Sequence, residues 1–290
     1  FPFCTGDIRV LQPGEFYKYL GANTGYGLPC TDTELVQQTA SDIQRLFKTS
    51  LLHNQKILAL KRFLIPKLRF HLRVRPFTQK DLGALDRTTR SCVRLALRLP
   101  KNACTAFFHS PCHSGGLGIP ELTAEVDILA VTQMFKMLTS PDSMVKDTAS
   151  SRLKWFVERK TRRPVDDKEM VTFLSGRSEG EDQAKLGSHN SGSPRDIFPR
   201  ISRASRRLGV SFEKEGDSFS LVLGSNRINS SGRGGVTKAL HQYQNNRKLA
   251  QWSNSPSQGK SVKSFARVSC SNHWITESSK LSPSAASFCY

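Results

Sequence analysis

The chain has no run of about 18 apolar residues, so its sequence predicts no membrane-spanning helix. The first residues, Phe1 to Val10, lack the charged start and long apolar stretch of a secretory signal. Cysteine is sparse and unpaired in pattern: the seven stand at positions 4, 30, 92, 104, 112, 270 and 289. An odd number without tight spacing argues against a secreted disulfide framework and for a reducing compartment. Apolar residues make up only 37% of the 290 residues, low for a fully packed protein, so part of the chain is expected to be poorly folded.

Catalytic signatures are also missing. There is no Walker A loop, no HExxH, no nucleophile elbow and no Asp pair in an apolar strand context that could hold two magnesium ions. The one Asp-Asp pair, Asp166-Asp167, sits in the polar stretch RRPVDDKEM and reads as a helix start. Cys104, His109, Cys112 and His113 are the nearest approach to a metal set, but they contain no CxxC pair, and packed or loop residues are the favoured reading.

What the chain has in excess is positive charge. Lys plus Arg number 43 against 24 Asp plus Glu, giving a formal charge of +19 and a pI near 10.0, a balance suited to a polyanionic partner. The excess is concentrated. Residues 54 to 103 carry 13 basic residues against two acids, Asp81 and Asp86, whereas residues 1 to 53 are close to neutral.

That basic stretch has helical periodicity. Residues 1 to 30 hold short apolar runs split by Pro13-Gly14, Gly21, Gly25, Gly27 and Pro29, a β-hairpin or small sheet. Thr31 and Glu34 then have capping-box spacing, and apolar residues at three-and-four spacing predict a helix over about 33 to 52. A second helix begins near Asn54, and Pro66 is expected to kink or end it. A third runs from Thr78 to about Leu99. On it Leu82, Leu85, Thr89, Cys92, Val93 and Ala96 fall to one side, and Arg87, Arg90, Arg94 and Arg98 form a narrow stripe on the other. Such a stripe can follow a phosphate backbone without reading sequence, although most charged helix faces are only solvated.

After the loop at 107 to 120, where Gly115, Gly116 and Gly118 predict a tight turn, helices are expected over 121 to 139 and from Val145 to Val157. Beyond about 160 the periodicity fades, and Ser-, Gly- and charge-rich stretches at 175 to 196 and 224 to 235 read as linkers or disordered loops. Gly209 to Leu223 alternates weakly, enough to admit a short hairpin, and 236 to 252 has the pattern of a helix. The expected fold class is therefore mainly α: a short β-hairpin, a helical bundle, then a poorly ordered linker region.

Several segments together resemble the reverse transcriptases of non-LTR retrotransposons, especially the site-specific elements that insert in ribosomal DNA and carry a restriction-like endonuclease. GEFYKYLG at 14 to 21 looks like the primer-grip segment that closes the palm, and NQKILALKRFLIPKLRFHLR at 54 to 73 looks like the thumb. LDRTTRSCVRLALRLP at 85 to 100 and FFHSPCHSGGLGIPEL at 107 to 122 are similar to the region C-terminal to the thumb, and QGKSVKSFARVSCSNHWI at 258 to 275 is fainter, like the linker before a zinc knuckle. No single motif is decisive; their order is the signal.

The resemblance implies an end of palm over 1–30, a helical thumb over 31–105, a post-thumb helical region over 106–160 and a linker over 161–290. It implies that Tyr17, Tyr19, Leu20 and Gly21 form the primer grip, Tyr19 touching primer or simply packing the junction. Lys61, Arg62, Lys67, Arg69, Arg87, Arg90, Arg94 and Arg98 would lie near phosphates of an RNA/DNA duplex or structured RNA. On this reading the chain is an internal piece of a Pol polyprotein, with no cofactor in this segment and no activity of its own. The magnesium-binding palm aspartates would lie upstream of Phe1, and the zinc knuckle and endonuclease downstream of Tyr290. The same likeness implies a nuclear location and no membrane partner. Two other readings stay open: a stand-alone nucleic-acid-binding protein derived from such an element, and a basic module for an acidic protein or membrane surface.

Overall fold

The computed structural model describes residues 12–19, 22–25, 33–74, 77–177, 197–229, 232, 234–256 and 258–265. They form a mainly helical protein with two small antiparallel sheets. The first sheet is the hairpin β1 (Tyr17–Tyr19) and β2 (Ala22–Thr24), with Tyr19 opposite Ala22. Gly25 closes it: a Cβ there would stand 2.2 Å from the carbonyl oxygen of Glu15, an approach only glycine allows. The expected apolar run at Asp7 to Leu11, the capping residue Thr31 and the turn residues Leu20 and Gly21 lie outside the described residues.

α1 (Thr33–Lys48) has the expected helical pattern and buries Thr39 and Ile43 against α4 (Gln79–Ala96). α4 starts where the sequence places it, with the Thr78 side chain accepting the Asp81 N–H at 3.1 Å. Between them α2 (His53–Ala59) runs through a π-helical turn, Leu60–Leu64, directly into α3 (Ile65–Val74). The break expected at Pro66 does not occur. The Ile65 N–H bonds back to the Leu60 carbonyl, five residues earlier, and this wider register just before Pro66 moves aside the carbonyl that the ring would otherwise strike.

α5 (Thr105–His109) and a single 3-10 turn (Cys112–Ser114) precede α6 (Leu122–Leu138), and α7 (Ser143–Thr161) comes next. α6 is buried almost all round, as a helix must be when it lies between two cores. Its Leu122, Val126 and Leu129 join a core with Ile43, Leu60, Leu68, Leu82 and Phe108, and its Val131, Met134, Phe135 and Leu138 join another.

That second core corrects the expectation of a poorly ordered linker after residue 160. α8 (Asp167–Leu174), α9 (Ile197–Leu208) and the meander β3 (Ser211–Glu215), β4 (Ser218–Leu223) and β5 (Asn226–Ile228) pack onto α6 and α7. Both hairpin turns are two residues long and open on a glycine with positive φ, Gly216 and Gly224, which matches the strand twist. Phe212, Phe219, Leu221 and Leu223 point into the core beside Ile201, Ala204 and Leu208. α10 (Gly235–Ser253) and α11 (Gln258–Phe265) then return to the first half, where Trp252 packs edge-on against Phe107 at 5.4 Å between ring centres. The Ser- and Gly-rich stretch at 178–196 lies outside the described residues.

Candidate nucleic-acid interface

The continuous rod α2–α3 turns Ile57, Leu60, Ile65, Leu68 and Leu72 inward and leaves Arg62, Lys67, Arg69 and Arg73 exposed on its other sides. Of the four basic residues singled out on it, three have protein partners. The Lys61 ammonium donates to the Leu117 carbonyl at 3.0 Å and to Cys112 Sγ at 3.4 Å, so it fastens the rod to the loop at 112–118. Lys67 pairs with Asp42 at 3.3 Å, an exposed contact of little energetic weight. Arg69 reaches the buried carboxylate of Glu125 at 2.9 Å, which His241 approaches at 3.5 Å from α10. Arg62 is exposed.

The arginine stripe on α4 divides in the same way. Arg87 is exposed on the helix, and Arg98, just past its end, is exposed in the left-handed conformation at φ 53°. Arg90 and Arg94 sit nearer the core side of the stripe, where α5 covers them. Arg94 lies over the Phe108 ring at 5.4 Å, a cation–π contact, and Arg90 donates towards His109 Nε2 at 3.4 Å. The structure therefore brings Arg62, Arg87 and Arg98 to the surface, with no ion-pair partner among the described residues, and uses Lys61, Arg69, Arg90 and Arg94 to hold elements together.

Acids in this region are engaged internally. Asp86 is buried, and its carboxylate accepts the N–H groups of Leu122 and Thr123 at 2.9 and 3.1 Å and the Thr123 hydroxyl at 3.0 Å. A carboxylate at the start of α6 satisfies donors that the helix cannot satisfy itself and complements its dipole. Burial nonetheless pushes its pKa up, against the pull of those hydrogen bonds. Next to it, His109 donates from Nδ1 to the Ile119 carbonyl at 2.8 Å, leaving Nε2 to accept from Arg90. Burial lowers its pKa and keeps the ring neutral. Glu121 is also largely enclosed; burial opposes its charge, but the Lys248 ammonium at 2.7 Å prevails and lowers its pKa.

Among the other sequence candidates, Tyr17 is exposed, Tyr19 contributes its backbone to the hairpin, and Leu20 and Gly21 lie outside the described residues. The glycine loop is a tight turn. A Cβ on Gly116 would stand 2.3 Å from the Ser110 carbonyl oxygen, and one on Gly118 would meet Cys112 Sγ at 2.9 Å and Lys61 Nζ at 3.2 Å. Cys104 contacts the Ser255 hydroxyl, Cys112 and His109 are engaged as above, and no group of three His, Cys, Asp or Glu among the described residues could hold a metal ion. Asp166 caps α8, accepting the Glu169 N–H at 2.7 Å, and Asp167 pairs with Lys214.

Two features were missed in the sequence. A cleft of about 580 Å³ lies between α4, α6, α9 and α10, and its cations are already engaged: Arg207 forms a bidentate pair with the buried Asp127, both bonds 2.7 Å, Lys248 pairs with Glu121, and Arg247 donates to the Arg207 and Leu208 carbonyls. The exposed face of the rod carries Phe63, 71% exposed, with Phe70 and Val74. Their seven- and four-residue spacing was readable, and it places aromatic surface among the rod's arginines.

No family model matches the chain. It is 29% identical over 169 residues to a Pol polyprotein from the type-1 retrotransposable element R2 of Nasonia vitripennis, covering 56% of this chain and 16% of that protein. It is 32% identical over 164 residues to the Pol polyprotein of the type-2 element R2DM of Drosophila melanogaster, covering 56% of this chain and 15% of the relative. A third relative, from the R2 element of Popillia japonica, is 34% identical over 110 residues, 38% of this chain and 24% of that protein. The aligned segment is thus a small part of each relative. Over roughly half its length, the chain is similar to R2 retrotransposon Pol polyproteins.

Proposed function

We propose that this segment grips a template–primer duplex by its phosphates, as the thumb of a reverse transcriptase, with Tyr17, Tyr19, Leu20 and Gly21 acting as the primer grip. The observation that carries this reading is the uncompensated charge: Arg62, Arg87 and Arg98 are exposed on a region with 13 basic residues and two acids, and one of those acids, Asp86, is buried as a helix cap. Cations presented on rigid helices bind a polyanion by releasing its counterions, and they do so without reading bases, as copying any sequence requires. Lys67 and Arg73 extend the same exposed charge along the rod. The polymerase chemistry belongs to palm residues that bind magnesium elsewhere in the Pol polyprotein, and the partners of this segment are that palm, a zinc knuckle, an endonuclease and an RNA/DNA duplex, in the nucleus.

The experiment is binding of the full chain to a labelled RNA/DNA hybrid across a salt series, beside the variant Arg62→Gln, Arg87→Gln, Arg98→Gln. Each lost phosphate contact lowers the log–log salt slope by about 0.9, so a decrease of about two to three is expected. Equal slopes for two folded proteins would overturn the assignment of these residues as the grip.

A further inference from the structure

A second basic surface lies on α7, away from the rod and the α4 stripe. α7 buries Ala149, Leu153 and Val157 at four-residue spacing, and this fixes which side faces out. Opposite that core line, Arg152, Trp155 and Arg159 succeed one another at three- and four-residue spacing, and Arg162 stands beyond them at the C-terminal cap. Trp155 is 55% exposed, while Trp252 is buried. The Arg159 guanidinium lies over the Trp155 ring, 5.3 Å from its centre, so charge and indole form one patch in which one ring face meets the cation and the side chain as a whole stays half exposed. Arg152, Arg159 and Arg162 are all exposed. The acids of this helix stand to the side of the line: Glu158 is half-buried, and Asp147 lies two turns earlier.

The positive field continues past the helix. Lys160 packs over the Phe173 ring at 5.7 Å on the inner side of α7; burial lowers its pKa, and the charge of Arg203 on α9 lowers it further.

We propose that Arg152, Trp155, Arg159 and Arg162 form a binding surface for single-stranded nucleic acid, separate from the duplex grip. A solvent-facing indole offers a stacking plane to an unpaired base, which a base inside a duplex cannot use, and the flanking guanidiniums take the adjoining phosphates. A membrane surface fits less well, because the broad apolar face of α7 is already buried and its outward apolar area is split between Met144 and Val145 at the N-terminal end and Trp155 more than two turns later. The chemistry reads strandedness and charge, since an indole face stacks on any base and the guanidiniums are assigned to phosphates.

The test uses the full chain with a fluorescein-labelled 12-nucleotide oligouridylate, a blunt RNA/DNA hybrid, and vesicles of phosphatidylserine and phosphatidylcholine. Trp155→Ala is expected to weaken single-strand binding by about 5- to 150-fold, the usual loss for one stacked base, and to change hybrid binding less than about twofold. Trp155→Phe keeps an aromatic plane and is expected to stay within about threefold of wild type, with an unchanged melting midpoint as the control for folding. Arg152→Gln with Arg159→Gln is expected to lower the single-strand salt slope by about 1.4. The dependence on Trp155 persists in the Arg62, Arg87, Arg98 variant, so loss of the duplex grip and loss of this surface are read separately. Single-strand binding that is unchanged in Trp155→Ala, an equal loss for the hybrid, or a Trp155 dependence seen with vesicles and not with RNA would each overturn the proposal.

Discussion

The carboxylate of Asp86, in the middle of α4, accepts the backbone N–H of Leu122 at 2.9 Å and so supplies the cap of a helix 36 residues further on. α6 is the element that both cores share, so this one acid fixes the angle at which the basic helix meets the rest of the molecule. Replacing Asp86 by Ala removes three acceptor contacts and leaves the buried Leu122 N–H and the part-buried Thr123 N–H without that acceptor. A loss of about 2 kcal/mol is expected, since a cap is worth about 0.5–2 kcal/mol and an orphaned buried donor about 1–3 kcal/mol, offset by release of a buried charge. The urea midpoint measures it. A midpoint within error of wild type would show that the cap contributes nothing.

Arg90 and Arg94 were expected to stand beside Arg87 and Arg98 as phosphate ligands, and the contacts with His109 and Phe108 separate them from those two. Arg94→Gln keeps a polar end but loses the cation over the ring, an effect of about 1 kcal/mol on stability. Its salt slope for hybrid binding is expected to stay close to wild type, whereas Arg87→Gln lowers the slope by about 0.9 and leaves the melting midpoint alone. The reverse pattern would return Arg94 to the binding surface.

The sequence made the local half of this arrangement legible. Three-and-four spacing located α1, α4, α6 and α7, and the Thr78 cap is read directly from Thr78 and Asp81. Pro66 misled because a π turn is a change of register that periodicity does not record. α9 was missed although Ile197, Ile201, Ala204 and Leu208 repeat at helical spacing, since Pro199 and the polar stretch before it dominate the local composition. The division of the arginines was not readable at all. It depends on α5, a five-residue helix that overlaps the start of the segment read as loop at 107 to 120, coming to lie against α4. Pairs such as Arg207 with Asp127, 80 residues apart, leave no mark on either neighbourhood.

The buried His109 makes stability depend on pH. Its folded pKa is lowered by burial from an unfolded value near 6.5, so it binds fewer protons folded than unfolded; stability is present above about pH 6.5 and falls as pH drops through that value towards the folded pKa. His53 shifts the same way, also through burial first and then through Lys56 and Arg98. Asp86, with its raised pKa, acts in the opposite sense, and only once the pH approaches the carboxylate range. One such histidine gives a slope of up to about 1.4 kcal/mol per pH unit. Melting between pH 7.5 and 5.5 is expected to show this fall in wild type and a shallower one in His109→Gln. Parallel curves would mean that His109 takes up its proton without cost to the fold.

Arg207 on α9 and Asp127 on α6 join the two cores by a bidentate pair that also receives Gln79 from the start of α4, at 3.0 Å. Asp127 is 4% exposed, whereas the Arg207 side chain is about two-fifths open, so the carboxylate bears the greater cost of losing its partner. Arg207→Ala leaves that charge with Gln79 bonded to it and only the more distant Arg200 guanidinium in its field, and a loss of about 2–4 kcal/mol is expected, below the range for fully buried pairs because solvent can reach the gap. Removing both charges should cost less than removing one. The double variant Arg207→Met, Asp127→Leu fills the volume with apolar atoms and leaves only Gln79 without its acceptor, so it is expected to recover at least half of the loss. A double variant that is less stable than Arg207→Ala would show that the pair contributes net energy to the junction. A single variant as stable as wild type would show instead that Asp127 finds water or Gln79 sufficient, and the seam between the cores would then rest on its apolar contacts alone.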